Sequence, residues 1–343
     1  MLLLNNLRYC YYWISPLIVF IVLCIPLISF FYLYDLDRGF EFSKYITSIT
    51  FFSFYQSIIS ALLSIIIGVV FAYLLFKHNY IYGLKLLINS LSILFVLPTI
   101  ITIFGILTFY GNFFQIYGLF GILIGHVILN IPLVARVIFQ TLNDISPNER
   151  MLADQMSLNS WGSFLAIEWP VIKKNIPSLF VLISFICFVS FTPVLILGGG
   201  PKYSTLEVAI YHAVMFADNF NIAFNLLIVQ ILICGLIYFI FFKNFKSKNF
   251  IIDDQRNYRS INSISYKYII DYLLLIIISV FIFSPIAFIL IKGINIKLIE
   301  VLNSFYFWSS LSTTFVIGIL SGALSIILTY GNLVFLNKNK NST

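Results

Sequence analysis

Residues 49–76 read ITFFSFYQSIISALLSIIIGVVFAYLLF, an unbroken run without Asp, Glu, Lys or Arg. About 20 apolar residues, rising about 1.5 Å each, cross a hydrocarbon core roughly 30 Å thick, and a helix satisfies its own backbone polar groups on the way. The run therefore reads as a transmembrane helix, and the chain as a membrane protein. Ser53, Ser57, Ala61 and Ser64 recur at spacings of three or four, which lines up small side chains on one face where another helix approaches closely.

Working outward, comparable runs lie at 12–33, 86–110, 119–142, 176–197, 222–242, 269–291 and 311–336. The expected fold is an all-α membrane protein, a polytopic bundle of about eight transmembrane helices. Composition agrees: 61% of the 343 residues are hydrophobic, 10% are charged and mean hydropathy is +1.01, more apolar surface than a water-soluble fold can hide. Arg8 precedes the first run as it would in a signal peptide. The run is too long for one, however, and no small-residue cleavage site follows, so it is expected to stay as an anchor.

The net charge of +7 does not point to nucleic acid, because the charges follow topology. Arg8, the 77–85, 143–175 and 243–268 loops and the C-terminal tail hold fourteen of the twenty Lys and Arg residues, and the alternate loops hold five, Arg38, Lys44, Lys202, Lys292 and Lys297. The positive-inside rule then places both termini and the 143–175 loop in the cytoplasm. Arg136, the remaining one, falls near the inner end of its span, close enough to snorkel. Cys10, Cys24, Cys187 and Cys234 show no C-x-x-C spacing and no paired His, so they read as packing residues and no metal site is expected.

A shift of 257 positions lays Ser53, Ser57, Ala61, Leu63, Ser64, Ala72 and Tyr73 over Ser310, Thr314, Gly318, Leu320, Ser321, Thr329 and Tyr330. The second run and the last would then open two related halves. Residues 1–242 form the first half with six spans, 243–268 a polar cytoplasmic linker, and 269–343 the start of an incomplete second half with two spans.

Between the fourth and fifth runs, Ser146-Pro147-Asn148-Glu149 is a helix start: Ser as N-cap, Pro at the first helical position and Glu at the third. Leu152 and Met156 share a face at i, i+4 with Met151 close by, and Asn159 and Ser160 cap a second helix from Trp161 that is expected to end near Pro170. An exposed apolar face on a short helix either rests on lipid or takes a protein partner.

Registered on Pro170, this loop resembles the coupling motif of binding-protein-dependent ABC importer permeases, E-A-A, three residues, Gly, nine residues, then I-x-L-P. Ala153, Ile167 and Pro170 match; Met151 and Leu152 stand for Glu and Ala, Ser157 for Gly and Trp169 for Leu. Around it, YGLFGIL (117–123), His126, NIPL (130–133), Ala135, Arg136, Ser160, Trp161, EWP (168–170), Ile176, Pro177, Ser190, Phe191, LGGGP (197–201) and LEVAIY (206–211) are similar to the iron(III) and thiamine branch of that family, and within it to thiamine permeases. The resemblance implies a non-enzymatic subunit that moves thiamine, or alternatively iron(III), across the inner membrane. Its partners would be a cytoplasmic ATPase dimer, which carries the ATP and Mg²⁺, and a periplasmic binding protein. Family permeases have two six-span halves, so either a second permease chain supplies the remaining spans or the gene is a truncated, inactive version.

On that resemblance, Met151, Leu152, Met156 and Trp161 are the docking knob for the ATPase, with Ala153, Ser157, Ile167 and Pro170 in the same loop; Trp161 as an interfacial belt residue is the plainer alternative. Pro98 and Pro132 free backbone carbonyls and are candidates for the pathway, as is His126, for which a helix–helix hydrogen bond is the simpler reading. Glu207, His212 and Asp218, in the outer loop after the Gly-Gly-Gly-Pro turn, are candidate contacts for the binding protein. A secondary transporter would need a central intramembrane acid, and the spans contain none. A membrane-embedded enzyme would need a zinc-binding H-E-x-x-H or paired acids, also missing from them.

Overall fold

The computed structural model describes residues 2–32, 43–78, 82–244 and 267–340. Among these the regular elements are all helical: α1 (Leu2–Tyr32), α2 (Lys44–Lys77), α3 (Tyr82–Val96), α4 (Thr99–Tyr110), α5 (Leu119–Asn143), α6 (Pro147–Gln155) and α7 (Ser160–Ser163). A π-helical turn (Phe164–Glu168) joins α7 to α8 (Trp169–Phe188). Then come α9 (Thr192–Leu197), a 3₁₀ turn (Pro201–Tyr203), α10 (Leu206–Met215), α11 (Phe220–Asn244), α12 (Lys267–Gly293), α13 (Ile296–Asn303) and α14 (Phe305–Lys340).

The expected polytopic helical bundle is present. Among the described residues six helices are long and apolar enough to cross a membrane, Lys44–Lys77, Leu119–Asn143, Trp161–Phe188, Phe220–Ile240, Ile269–Gly293 and Phe305–Leu336, and a bent pair, Leu86–Leu94 with Thr99–Tyr110, makes a seventh if it is one span. In α1 the apolar stretch is the shorter Ser15–Ser29.

Two runs depart from the expected boundaries, each at a proline. Pro98 splits the third into α3 and α4, because it disfavours helical geometry in the residue before it and starts α4 as its N-cap. The fifth begins earlier than expected, since α7, the π turn and α8 form one helical path from Ser160 to Phe188. Pro170 therefore does not end the helix: Trp169 N–H bonds the carbonyl of Phe164, five residues back, and this change of register comes where Pro170 has no N–H to give.

The chain divides into two compact units, residues 40–291 and residues 1–39 with 292–343. In the larger unit α2 is the centre, packed along α5 and α8, while α3 lies on α5, α4 on α9, and α10 on α11. Ser43 caps α2 by accepting from Ile46 N at 3.3 Å. Ser53, Ser57, Ala61, Ser64 and Ala72, the small residues picked out in the sequence, are all buried. At Gly68 an added Cβ would stand 2.6 Å from Val134 Cβ on α5, so the two backbones approach as closely as the pattern suggested. Tyr110 of α4 donates to the carbonyl of Phe281 on α12 at 2.9 Å.

In the smaller unit α1 and α14 pack together, with Ser15 Oγ donating to Leu328 O at 2.7 Å, and α13 folds onto α14. The expected second-half start, 269–343, is thus shared between the units, and of the 243–268 linker residues 245–266 lie outside the described residues.

Candidate functional site

α6 is built by its caps. Ser146 Oγ accepts from Asn148 N at 3.3 Å, one position earlier than the capping box expects. At the other end Ser157 is left-handed, with φ 54°, and Leu158 N reaches back to Ala153 O at 3.2 Å. This is the six-to-one bond of a Schellman end. The position where the coupling motif has Gly is therefore the one whose backbone favours Gly, which gives the register a geometric basis. Asn159 Oδ1 then accepts from Gly162 N at 2.7 Å and starts α7.

The loop faces two ways. Ala153 is 4% exposed, and Ile167 packs against the largest core cluster, whereas Met151, Leu152, Met156 and Trp161 are 42%, 58%, 71% and 67% exposed. Pro170 is exposed. Trp161 stacks on Phe164 at 5.4 Å and 26°, and Phe164 meets Tyr73 of α2 edge-on at 4.9 Å. A chain of three rings thus joins exposed Trp161 to the central helix.

Deeper in the bundle, His126 is buried and both its ring nitrogens are taken, Nδ1 by Ser60 Oγ at 3.1 Å and Nε2 by Ser190 Oγ at 2.6 Å. Ser190 donates to Cys187 O at 2.9 Å, as does Gln56 Nε2, and Asn130 Nδ2 reaches Cys187 Sγ at 3.2 Å. His126 is therefore a joint between α2, α5 and the break that follows α8. Pro132 is buried further along α5, while Pro98 is exposed at the α3–α4 bend. Arg136 is exposed and bonds Ser92 on α3.

The candidates after the glycine turn separate. His212 and Asp218 are exposed, Asp218 with φ 47°. Glu207 lies on α10 and accepts a hydrogen bond from Gln230 Nε2 on α11. Sequence reasoning treated this segment as loop, but Leu206, Val208, Ala209 and Ala213 form a buried face that folds it back on its neighbour.

Two features were missed. The Gln56–Ser60–Asn130–Cys187–Ser190 network was signalled only by the serine spacing in 49–76. Lys77 Nζ and His78 Nε2 both meet Asp271 Oδ2, at 2.7 and 3.1 Å, tying the end of α2 to the start of α12. Burial lowers the His78 pKa and the bond to Asp271 opposes this. No spacing rule links residues so far apart in the chain.

Fold and site together define a polytopic helical membrane protein with a capped, apolar loop helix. No family model matches the chain. It is homologous to the thiamine transport system permease protein: it is 35% identical over 318 residues to that of Haemophilus influenzae, 32% over 304 to that of Escherichia coli and 26% over 309 to that of Brucella abortus. These matches cover 87%, 83% and 85% of the chain but 58%, 56% and 57% of the relatives, so the chain spans little more than half their length.

Proposed function

We propose that the chain is a membrane-spanning subunit of an ATP-driven ABC importer, translocating thiamine delivered by a periplasmic binding protein across the inner membrane. The observation that carries this reading is the 146–170 loop, whose exposed Met151, Leu152, Met156 and Trp161 stand in a register matching the coupling motif. Homology to thiamine permeases over 83–87% of the chain supports the same reading and favours thiamine over iron(III). Lys and Arg counts support an orientation with both termini and this loop in the cytoplasm.

In mechanism, apolar and aromatic anchors carry most of an interface's energy, so closure of the ATPase dimer around α6 would pull on Trp161. The pull passes through Phe164 to Tyr73 and so to α2, the helix against which α5 and α8 pack. The chain itself performs no chemistry in this scheme; ATP and Mg²⁺ belong to the ATPase. The other partner is the binding protein.

Trp161→Asp is expected to weaken co-purification of the ATPase at least about tenfold, roughly 1.4 kcal/mol or more, and to reduce labelled thiamine uptake with it. Uptake of iron but not thiamine would overturn the substrate assignment. Labelling of residues 146–170 from outside intact cells would overturn the orientation and the docking together.

A further inference from the structure

Gln230 lies ten residues from either end of the candidate span Phe220–Ile240, about 15 Å along the helix from each at 1.5 Å per residue. It is 8% exposed, and its amide donates to the Glu207 carboxylate. A carboxylate read from sequence as an outer-loop group therefore sits beside the middle of a span. Such a group is expensive in hydrocarbon and is retained where something compensates it. Among the described residues Glu207 has no ion-pair partner; the described ion pairs all involve Asp271.

The same amide adds an acceptor: Gln230 Oε1 is buried without a hydrogen-bond partner among the described residues. Tyr211 follows Glu207 by one turn on the same face of α10, and its ring meets Phe191 edge-on at 5.2 Å. A carboxylate without a cationic partner, a spare amide oxygen and an aromatic face suit a diffuse positive charge. They do not suit a metal ion, since no three His, Cys, Asp or Glu side chains cluster among the described residues.

We propose that Glu207, Gln230 and Tyr211 form a site that holds the positively charged part of an organic cation in transit. The assignment rests on the thiamine reading above, whose substrate carries a fixed charge on its thiazolium ring, and it makes Glu207 a residue that selects for charge.

Cys234 gives a readout independent of the solute. It follows Gln230 by one turn, on the same face of α11, and is half-buried. In membranes carrying the assembled transporter, with Cys10→Ala and Cys24→Ala and fully buried Cys187 left in place, Cys234 is reacted with a trimethylammonium methanethiosulfonate and with its uncharged counterpart. The cationic reagent should react faster, and Glu207→Gln should cut the cationic-to-neutral rate ratio at least about tenfold; both reagents meet the same sulfur, so the ratio cancels any change in the reactivity of the thiolate itself. A ratio unaffected by Glu207→Gln overturns the site, and so does a Cys234 that neither reagent reaches. Thiamine uptake is measured in parallel. Uptake with an unaffected ratio sinks the site alone, and a Glu207-dependent ratio without uptake sinks the thiamine reading alone.

Discussion

α2 and α14 carry the same pattern of small residues 257 positions apart, and they meet opposite fates. In α2 half of the most apolar window is buried, while in α14 none of it is. Ser53, Ser57, Ala61, Ser64 and Ala72 are covered, and their counterparts Ser310, Thr314, Gly318, Ser321 and Thr329 are exposed. Hydroxyls on both helices donate back to their own backbone, Ser57 and Ser64 to Phe54 O and Ser60 O as Thr314 and Ser321 do to Ser310 O and Gly318 O. What α2 adds is bonds to other helices: Ser53 also accepts from Leu206 N at 3.0 Å and Ser60 bonds His126. A periodic stripe of small residues thus states where a helix can be approached, and the neighbours alone decide whether it becomes an interface.

The sharpest way to break the comparison is to overfill each helix. At Gly68 a new side chain collides with Val134, while at Gly318 an added Cβ meets nothing within 4 Å. Gly68→Leu should cost about 1–3 kcal/mol or more by overpacking, seen as a lower midpoint for thermal unfolding of the purified chain in detergent. Gly318→Leu should leave that midpoint unchanged or slightly raised, because Gly is the poorer helix former. Equal losses at both sites would mean that α14 is covered as α2 is.

A finer test uses one aligned pair. Ser53→Ala removes the acceptor for Leu206 N and leaves a buried N–H unpaired, at a cost of about 1–2 kcal/mol. Ser310→Ala removes an exposed hydroxyl and should fall within about 0.5 kcal/mol of zero. If the two variants unfold alike, the hydrogen bond between α2 and α10 contributes nothing to the difference between the helices.

The residues behind these tests also mark how far the sequence could be read. Span 49–76 emerged as Lys44–Lys77 and span 119–142 as Leu119–Asn143, because length and hydropathy are local properties. The N-terminal caps of α6 and α7 were legible for the same reason, since Ser146 and Asn159 act within three residues. Pro170 misled because a π turn absorbs its missing N–H, an option invisible in a pattern of period 3.6. Glu207 misled because its partner is 23 positions away on the next helix. The Lys77–Asp271 pair, 194 positions apart, lay further still beyond any periodicity.

The smallest effect isolates the loop from both helices. Ser157 is left-handed at the end of α6, a conformation that costs a residue with a Cβ about 1–2 kcal/mol and that Gly adopts freely. Glycine also gains freedom in the unfolded chain, which returns part of the benefit. Ser157→Gly should therefore stabilise the local turn by only about 0.5–1 kcal/mol, read as slower amide exchange at Met156 and Leu158, whose N–H groups bond Leu152 O and Ala153 O. Because Met151, Leu152, Met156 and Trp161 keep their places, ATPase co-purification should hold or improve. Faster exchange at those two amides would mean that the Ser157 hydroxyl, not its backbone, keeps α6 closed, and the match to the motif's glycine would lose its geometric meaning.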